Sequence, residues 1–322
     1  MAARFFPSWL DRAWALASTI SRVRPDIVHS LEIQHAGYLT LAARELLPDA
    51  FPTWIVTNWG SDIYLFGRLA EHKERIRAVM GSCDYYGCEC QRDVVLGRTF
   101  GFCGALLPVL PNTGGFDLKR AWELREPGPS SARRLILLKG YQGWAGRALF
   151  GLRAIRLCAH ALRGYRVAVY LAGEDVRIAA ELVRLSTGVP IDIVPACSHE
   201  DMLRLHGMAR ASIGLSISDA ASTSFLEALG MGSFPIQSCT SCADEWIEGG
   251  VTGLIVDPED PEMIAQAIRR AVTDDELVDR AAELNWQTAV DRLDYGKIQQ
   301  QVIEMYERVA REGRSRRGGN AA

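Results

Sequence analysis

The sequence has 322 residues, too many for one comfortable hydrophobic core and suited to two domains of roughly 150 residues each. Apolar residues make up 48% and charged residues 23%, which excludes disordered and fibrous classes. A net charge of −3 and a pI of about 6.1 exclude the strongly basic face that phosphate-backbone binding needs, so no nucleic-acid partner is expected.

The opening segment is amphipathic, with Arg4, Phe5, Phe6, Trp9, Leu10 and Trp14 along it, while Asp11 and Arg12 interrupt any signal-peptide core. It reads as a helix packed on its own domain. A membrane-surface helix is the alternative, which leaves peripheral contact with the inner membrane face open. No apolar run reaches the length of about 18 residues that a spanning helix needs. Beyond this segment short apolar runs alternate with helix-period segments, the pattern of a parallel sheet covered on both faces. Strands are expected at 26–30, 53–57, 83–87 and 105–110, with helices over 38–47 and 69–80. The stretch 126–131 holds two prolines, a glycine and two serines, and reads as an interdomain linker.

After the linker the alternation restarts. Strands are expected at 134–138, 166–171, 191–194, 211–216 and 234–237, and helices over 147–162, 178–187, 200–208, 224–231 and 261–272. One long helix should follow from 275 to about 312, before an Arg/Gly-rich end that frays. The division is therefore a first Rossmann-like domain at 1–125, a second at 132–290, and a helical tail at 291–322. Two such halves put ligands at the carboxyl ends of the strands. Eight cysteines are scattered, several in apolar runs such as 156–159, which fits reduced thiols in a cytoplasmic protein. Cys239 and Cys242 form a lone CxxC with no second pair and no nearby histidine, a weak basis for zinc or redox chemistry. No metal and no cofactor are expected.

Three constellations could carry chemistry. Residues 139–147, Lys-Gly-Tyr-Gln-Gly-Trp-Ala-Gly-Arg, join a strand to a helix. Gly140, Gly143 and Gly146 let backbone amides approach an anion, the helix N-terminus adds about half a positive charge, and Lys139 and Arg147 flank the loop. A diphosphate suits this site, although glycines in a strand-to-helix turn are also ordinary turn formers. Residues 218–230 form the second constellation: a small polar loop feeds a helix capped by Ser222 or Thr223, with Glu227 about one turn in and Asp219 eight residues before it. Glu227 could reach polar hydroxyls in the cleft, or be only a solvated helix residue; Asp219 could be only a turn former. The third is 57–62, Thr-Asn-Trp-Gly-Ser-Asp, where Asp62 either holds substrate hydroxyls or serves local amides. Asn112, with Gly114 and Gly115, makes a similar strand-end loop, and His29 and His35 bracket the end of the first strand.

The stretch from Asp219 to the helix at Pro261 resembles the donor-binding half of family 4 retaining glycosyltransferases. Those enzymes carry two acidic residues separated by seven, followed by an Ala-x-x-x-Gly-x-x-Pro-Val/Ile run. Asp219 stands where their first Glu is usual, Glu227 matches the second, and Ala228, Gly232, Phe234, Pro235 and Ile236 continue the run. Residues 26–30 look like the family's "DVVHSH" strand, Gly60-Ser-Asp62 its "HGSD" turn, and 111–117 its "PNGVD" segment. Trp59 replaces the usual His before Gly60. Arg147 best matches the family's lysine after the first strand of the second domain, and Gln142 sits where its arginine would be. Full members begin with a strand and glycine-rich loop, whereas this chain enters at a helix, so the N-terminal domain is expected to be either incomplete or reduced.

The resemblance implies an α/β protein of GT-B type, two Rossmann-like domains facing each other across a cleft. It implies metal-free, retaining transfer from a nucleotide-diphosphate sugar donor to an acceptor hydroxyl, in polysaccharide or glycoconjugate biosynthesis. The acceptor would be a glycan, a lipid-linked glycan or a small molecule. Arg147, Lys139 and two helix N-termini would stabilise the leaving diphosphate. Asp219 would contact the donor sugar, Glu227 would hold the ribose hydroxyls, and Ile193 and Val194 would offer backbone atoms to the base. Gly140, Gly143, Ser222 and Thr223 complete the donor side; Asp62, Asn112 and His35 belong to the acceptor side. The alternatives are a catalytically reduced nucleotide-sugar-binding or partner protein, or a sugar-nucleotide epimerase, on the same fold.

Overall fold

The computed structural model describes residues 9–49 and 51–319, with side chains to residue 314. Two compact units emerge: Met1–Asn112 with Gln299–Ala322, and Thr113–Ile298. Arg4, Phe5 and Phe6 of the amphipathic start lie outside the described residues. Trp9–Val23 is a helix that buries the small face Ala13, Ala17 and Ile20 and leaves Leu10 and Trp14 exposed. Among the described residues, no helix is long and apolar enough to cross a membrane.

The first unit is built on a four-stranded parallel sheet in the order β1 (Ile27–Leu31), β2 (Thr53–Thr57), β3 (Tyr85–Gly87), β4 (Ala105–Leu106). Side chains alternate across a strand, so both faces need a cover. Trp54, Val56 and Tyr86 pack with Ile33, Ile63, Ile76, Val79 and Met80 on one face. Ile55, Tyr85 and Leu107 pack on the other, against Met305 and Val309 of the helix Tyr295–Gly319. The last helix thus completes the first unit's core. The expected strand at 105–110 is cut to two residues.

The second unit holds six parallel strands in the order β10-β9-β8-β5-β6-β7, where β5 is Leu135–Lys139, β6 Arg166–Tyr170, β7 Ile191–Ile193, β8 Ala209–Gly214, β9 Phe234–Ser238 and β10 Leu254–Val256. The chain moves outward from β5 through β6 to β7, then returns to β5's other side with β8. The order therefore reverses between β5 and β8, the place where a doubly wound sheet opens a crevice at its carboxyl end. Ile136, Leu138, Val167, Val169, Ile213 and Ile236 fill its main core and are all fully or nearly fully buried.

Several expected boundaries are corrected. Residues 126–131 are not the divide, because this stretch is fastened to the second unit: the Ser130 hydroxyl donates to the Gly232 carbonyl at 2.7 Å, and Arg125 Nε to the Gly230 carbonyl at 3.1 Å. A Pro/Gly/Ser-rich composition marks turns and does not tell an open linker from a packed one. The units divide after Asn112 instead, and the 291–322 tail changes unit after Ile298. The single helix expected over 275–312 is two, Asp275–Arg292 and Tyr295–Gly319, the second continuing past the point where fraying was expected. Leu293 is fully buried at the break, and the Asp294 carboxylate accepts from Lys297 N at 2.9 Å to restart the helix. The expected helix 147–162 is Ala148–Leu157 followed by a 3-10 turn at Ala159–Leu162.

Candidate active site

The loops leaving β5 and β8 are the first two sequence constellations, and the structure joins them. Gly146 and Ser216 form a bridge, Arg147 N donates to the Leu215 carbonyl at 3.0 Å, and Ile217 N to that of Ala145 at 2.9 Å. Beyond them lies a cavity of about 520 Å³, lined by Lys139, Tyr170, Leu171, Arg177, Val194, Thr223, Ser224 and Glu227 among others. A smaller crevice takes in Lys139, Tyr141, Asp219 and Ser222. Lys139 borders both, so the two constellations share one cation.

Helix Thr223–Met231 begins where expected, because the Ser222 hydroxyl accepts from Phe225 N at 3.3 Å. Thr223 lines the cavity and Ser222 the crevice. Glu227 is not a solvated helix residue: only 5% of it is exposed. His199 Nε2 stands 2.8 Å from its Oε1, and the fully buried His206 places Nε2 3.5 Å from its Oε2. Behind these, His206 Nδ1 is 3.0 Å from the Ser212 hydroxyl, which is 2.7 Å from that of Ser233. Tyr170 is buried beside Ser224, and burial holds its hydroxyl well above the ordinary tyrosine range. Leu171 has a backbone φ of 57°, a left-handed conformation uncommon outside glycine and often found where a site stores strain.

The glycine loop is more structural than its spacing suggests. Gly140 N donates to the Tyr170 carbonyl at 2.6 Å, so this amide is already occupied. A Cβ at Gly140 would lie 2.7 Å from that carbonyl oxygen, and one at Gly146 would lie 2.1 Å from the Tyr141 oxygen. These two glycines are required by close backbone approach, while Gly143 takes a φ of 144°. Arg147 borders neither the cavity nor the crevice. Its Nε donates to Glu259 Oε1 at 2.7 Å and its NH1 to the Gly146 carbonyl at 2.9 Å, so the residue expected at the diphosphate is held by partners of its own unit. Gln142 accepts from Leu149 N at 3.1 Å and caps the helix there. Arg177, which the motifs did not single out, brings a second cation to the cavity.

Asp219 lies partly buried in the crevice, its Oδ1 accepting from Ala220 N at 2.9 Å. Val194 lines the cavity with its amide bonded to the Val169 carbonyl, whereas Ile193 packs against the core and does not border the cavity. His199 and His206 were missed entirely. Nothing in their local sequence sets them apart from ordinary helix residues.

In the first unit, Asp62 is buried and accepts from Trp59 N at 2.7 Å and from Ile33 N at 3.1 Å, tying the loops after β1 and β2 together. Burial pushes its carboxyl up to about 7. The local-amide reading of Asp62 matches these contacts. Asn112 bonds to Glu89 and to the Asn58 carbonyl, joining a buried network in which Asn58 also meets Asp93 and Tyr86. His35 has an exposed ring beside Glu32 at 3.3 Å. His29 meets Tyr306 at 2.7 Å and Thr57 at 2.8 Å, and burial lowers its imidazole to about 4. All eight cysteines are free, and Cys239 is exposed while Cys242 is buried.

Two family models match the chain: "Glycosyl transferases group 1" over residues 154–286 and "Glycosyl transferase 4-like" over residues 4–82. No curated protein sequence matches it. Among solved structures, sucrose-phosphate synthase from Thermosynechococcus elongatus is similar with a TM-score of 0.70 at 16% identity, covering 93% of this chain and 77% of that one. The UDP-forming α,α-trehalose-phosphate synthase from Burkholderia xenovorans, in complex with glucose-6-phosphate, gives 0.73 at 14% identity, covering 94% and 76%. HepE from Anabaena, in complex with UDP-glucose, gives 0.71 at 14%, covering 92% and 81%. At such identities these likenesses show the GT-B fold. With a glycosyltransferase model matched in each unit, on two parallel α/β sheets of that fold, the chain belongs to the family 4-type glycosyltransferases.

Proposed function

We propose that this glycosyltransferase moves a sugar from a nucleoside-diphosphate sugar to an acceptor hydroxyl with retention of configuration and without a metal. The observation that carries this reading is the cavity at the β5/β8 switch point, where two cations, a helix N-terminus and a buried carboxylate converge. Lys139 and Arg177 suit the diphosphate, whose negative charge grows as the glycosidic bond breaks. Glu227 suits the ribose hydroxyls, since a buried ionised carboxylate accepts strongly and offers no donor of its own. Val194, which lines the cavity, would flank the base, and Asp219 in the adjoining crevice would touch the donor sugar. The donor's own phosphate oxygen would take the proton of the incoming hydroxyl, so no second carboxylate is required. Retention and independence from metal rest on the family resemblance. HepE's complex with UDP-glucose and the glucose-6-phosphate complex of the trehalose-phosphate synthase suggest UDP-glucose and a sugar phosphate as first trials.

The test is incubation with UDP-glucose and other nucleotide sugars, with and without sugar and glycan acceptors, in the presence of EDTA. Transfer with an unchanged anomeric configuration is expected. Inversion would overturn the retaining mechanism, and loss of activity on chelation that Mg²⁺ restores would overturn the metal-free one. Donor binding without transfer or hydrolysis would instead mark a non-catalytic binding protein.

A further inference from the structure

Glu227 carries a flexible side chain, yet its carboxylate must be fixed in direction to be useful to a ligand. Two imidazoles face it. His206 is fully buried and anchored from behind by Ser212, but its Nε2 stands 3.5 Å from Glu227 Oε2 and makes no hydrogen bond. The directed bond comes from the other side, where His199 Nε2 is 2.8 Å from Oε1. His199 is itself well placed. It is the first residue of helix His199–Met208, whose cap Ser198 accepts from Asp201 N at 3.1 Å, and its ring stacks on Phe116 with centroids 6.3 Å apart. The ring is 61% exposed, so fold stability does not explain its orientation.

We propose that His199 is a positioning residue for the donor. Its Nε2–H donates to Glu227 Oε1 and holds the carboxylate toward the cavity before any ligand arrives. An ionised carboxylate has about four acceptor sites, so one bond from His199 leaves room for two ribose hydroxyls. The inference rests on the donor reading of the cavity given above. Its effect should equal what ordering one flexible side chain in advance contributes, roughly 3- to 10-fold in affinity.

The experiment measures calorimetric binding of UDP, GDP and ADP to the wild-type chain and continues with the tightest binder and its 2′,3′-dideoxy analogue. His199→Ala should weaken the ribonucleotide about 3- to 10-fold, and His199→Gln, whose amide can still donate, should regain most of that. The dideoxy analogue should bind wild type and His199→Ala equally, because His199 acts only through the hydroxyls that Glu227 holds. In transfer assays KM for the donor should rise with kcat little changed. Unchanged affinity in His199→Ala would make the residue a bystander, and tighter binding would make it a lid that the donor displaces. An equal loss for both nucleotides would mean it acts elsewhere. Each of these overturns the proposal. If no nucleoside diphosphate binds the wild type, the donor reading itself falls.

Discussion

Arg147 Nε lies 2.7 Å from Glu259 Oε1, and neither residue lines the cavity that Lys139 and Arg177 border. With only 16% of its side chain exposed and its NH1 bonded to the Gly146 carbonyl, Arg147 fastens the loop after β5 to the rest of the unit. Electrostatic stabilisation requires a charge aimed where negative charge develops, and on the proposed function Lys139, which borders the cavity, is the residue to meet that condition.

Lys139→Ala should therefore lower kcat by about 10²–10³, the cost of removing one preorganised donor or cation from a charge-developing site, about 2.7–4 kcal/mol. Arg147→Ala should keep transfer within about tenfold and instead lower the unfolding midpoint by loosening the loop. Initial rates and thermal melts of both variants decide it. Equal kinetic losses would return Arg147 to the diphosphate.

Glu227→Gln keeps the side chain's shape but removes its charge. Donor affinity should fall about 10- to 150-fold, the range for one hydrogen bond to a charged group. Glu227→Ala should add a stability cost of about 0.8 kcal/mol, because the buried Cγ methylene of its side chain is lost. Calorimetry and denaturant titration separate the two effects; a Gln variant that binds donor normally would end the ribose-holding role.

Asp62 and His29 give the first unit two opposed pH dependences. The folded carboxyl of Asp62 titrates near 7, above its ordinary 3.8, so its contribution is full at low pH and is lost as pH rises through 7. The folded imidazole of His29 titrates near 4, below its ordinary 6.5, so its contribution is full above 6.5 and is lost as pH falls through 4. The wild type should show a shallow profile between pH 4 and 7. His29→Gln should expose a fall in stability with rising pH, and Asp62→Asn a rise. Melts across that range, reading tyrosine and tryptophan signals of the first unit, check both slopes; parallel profiles in all three proteins would refute the opposition.

Gly140→Ala should destabilise by about 1–3 kcal/mol, the usual cost of overpacking. Its Cβ would lie 2.7 Å from the Tyr170 carbonyl oxygen and 2.8 Å from Val169 Cγ1, neither of which can withdraw cheaply. Gly164→Ala, with nothing within 4 Å of its added methyl group, is the control for left-handed strain alone because its φ is 80°. A Gly140→Ala midpoint no lower than that of the control would show that the β5 loop has more freedom than its geometry implies.

The βα alternation, the two parallel sheets, the Ser222 cap and the Asp219-to-Glu227 spacing were legible because each depends on neighbours within a few turns of chain. The same local signals misplaced the domain boundary, since a turn-rich composition at 126–131 is silent about Ser130's bond to Gly232. They could not show that Met305 and Val309 cover the far face of the first unit's sheet. They made Gly140, Gly143 and Gly146 look like one phosphate cradle, although two of the three are demanded by close backbone approach. Tertiary structure alone paired Arg147 with Glu259 and set His199 and His206 against Glu227. Helix phase and caps place a backbone, but the direction of a side chain and the identity of its partner are decided by packing between elements far apart in sequence. Nothing written within a few residues of His199 could reveal the carboxylate 28 positions away that it holds.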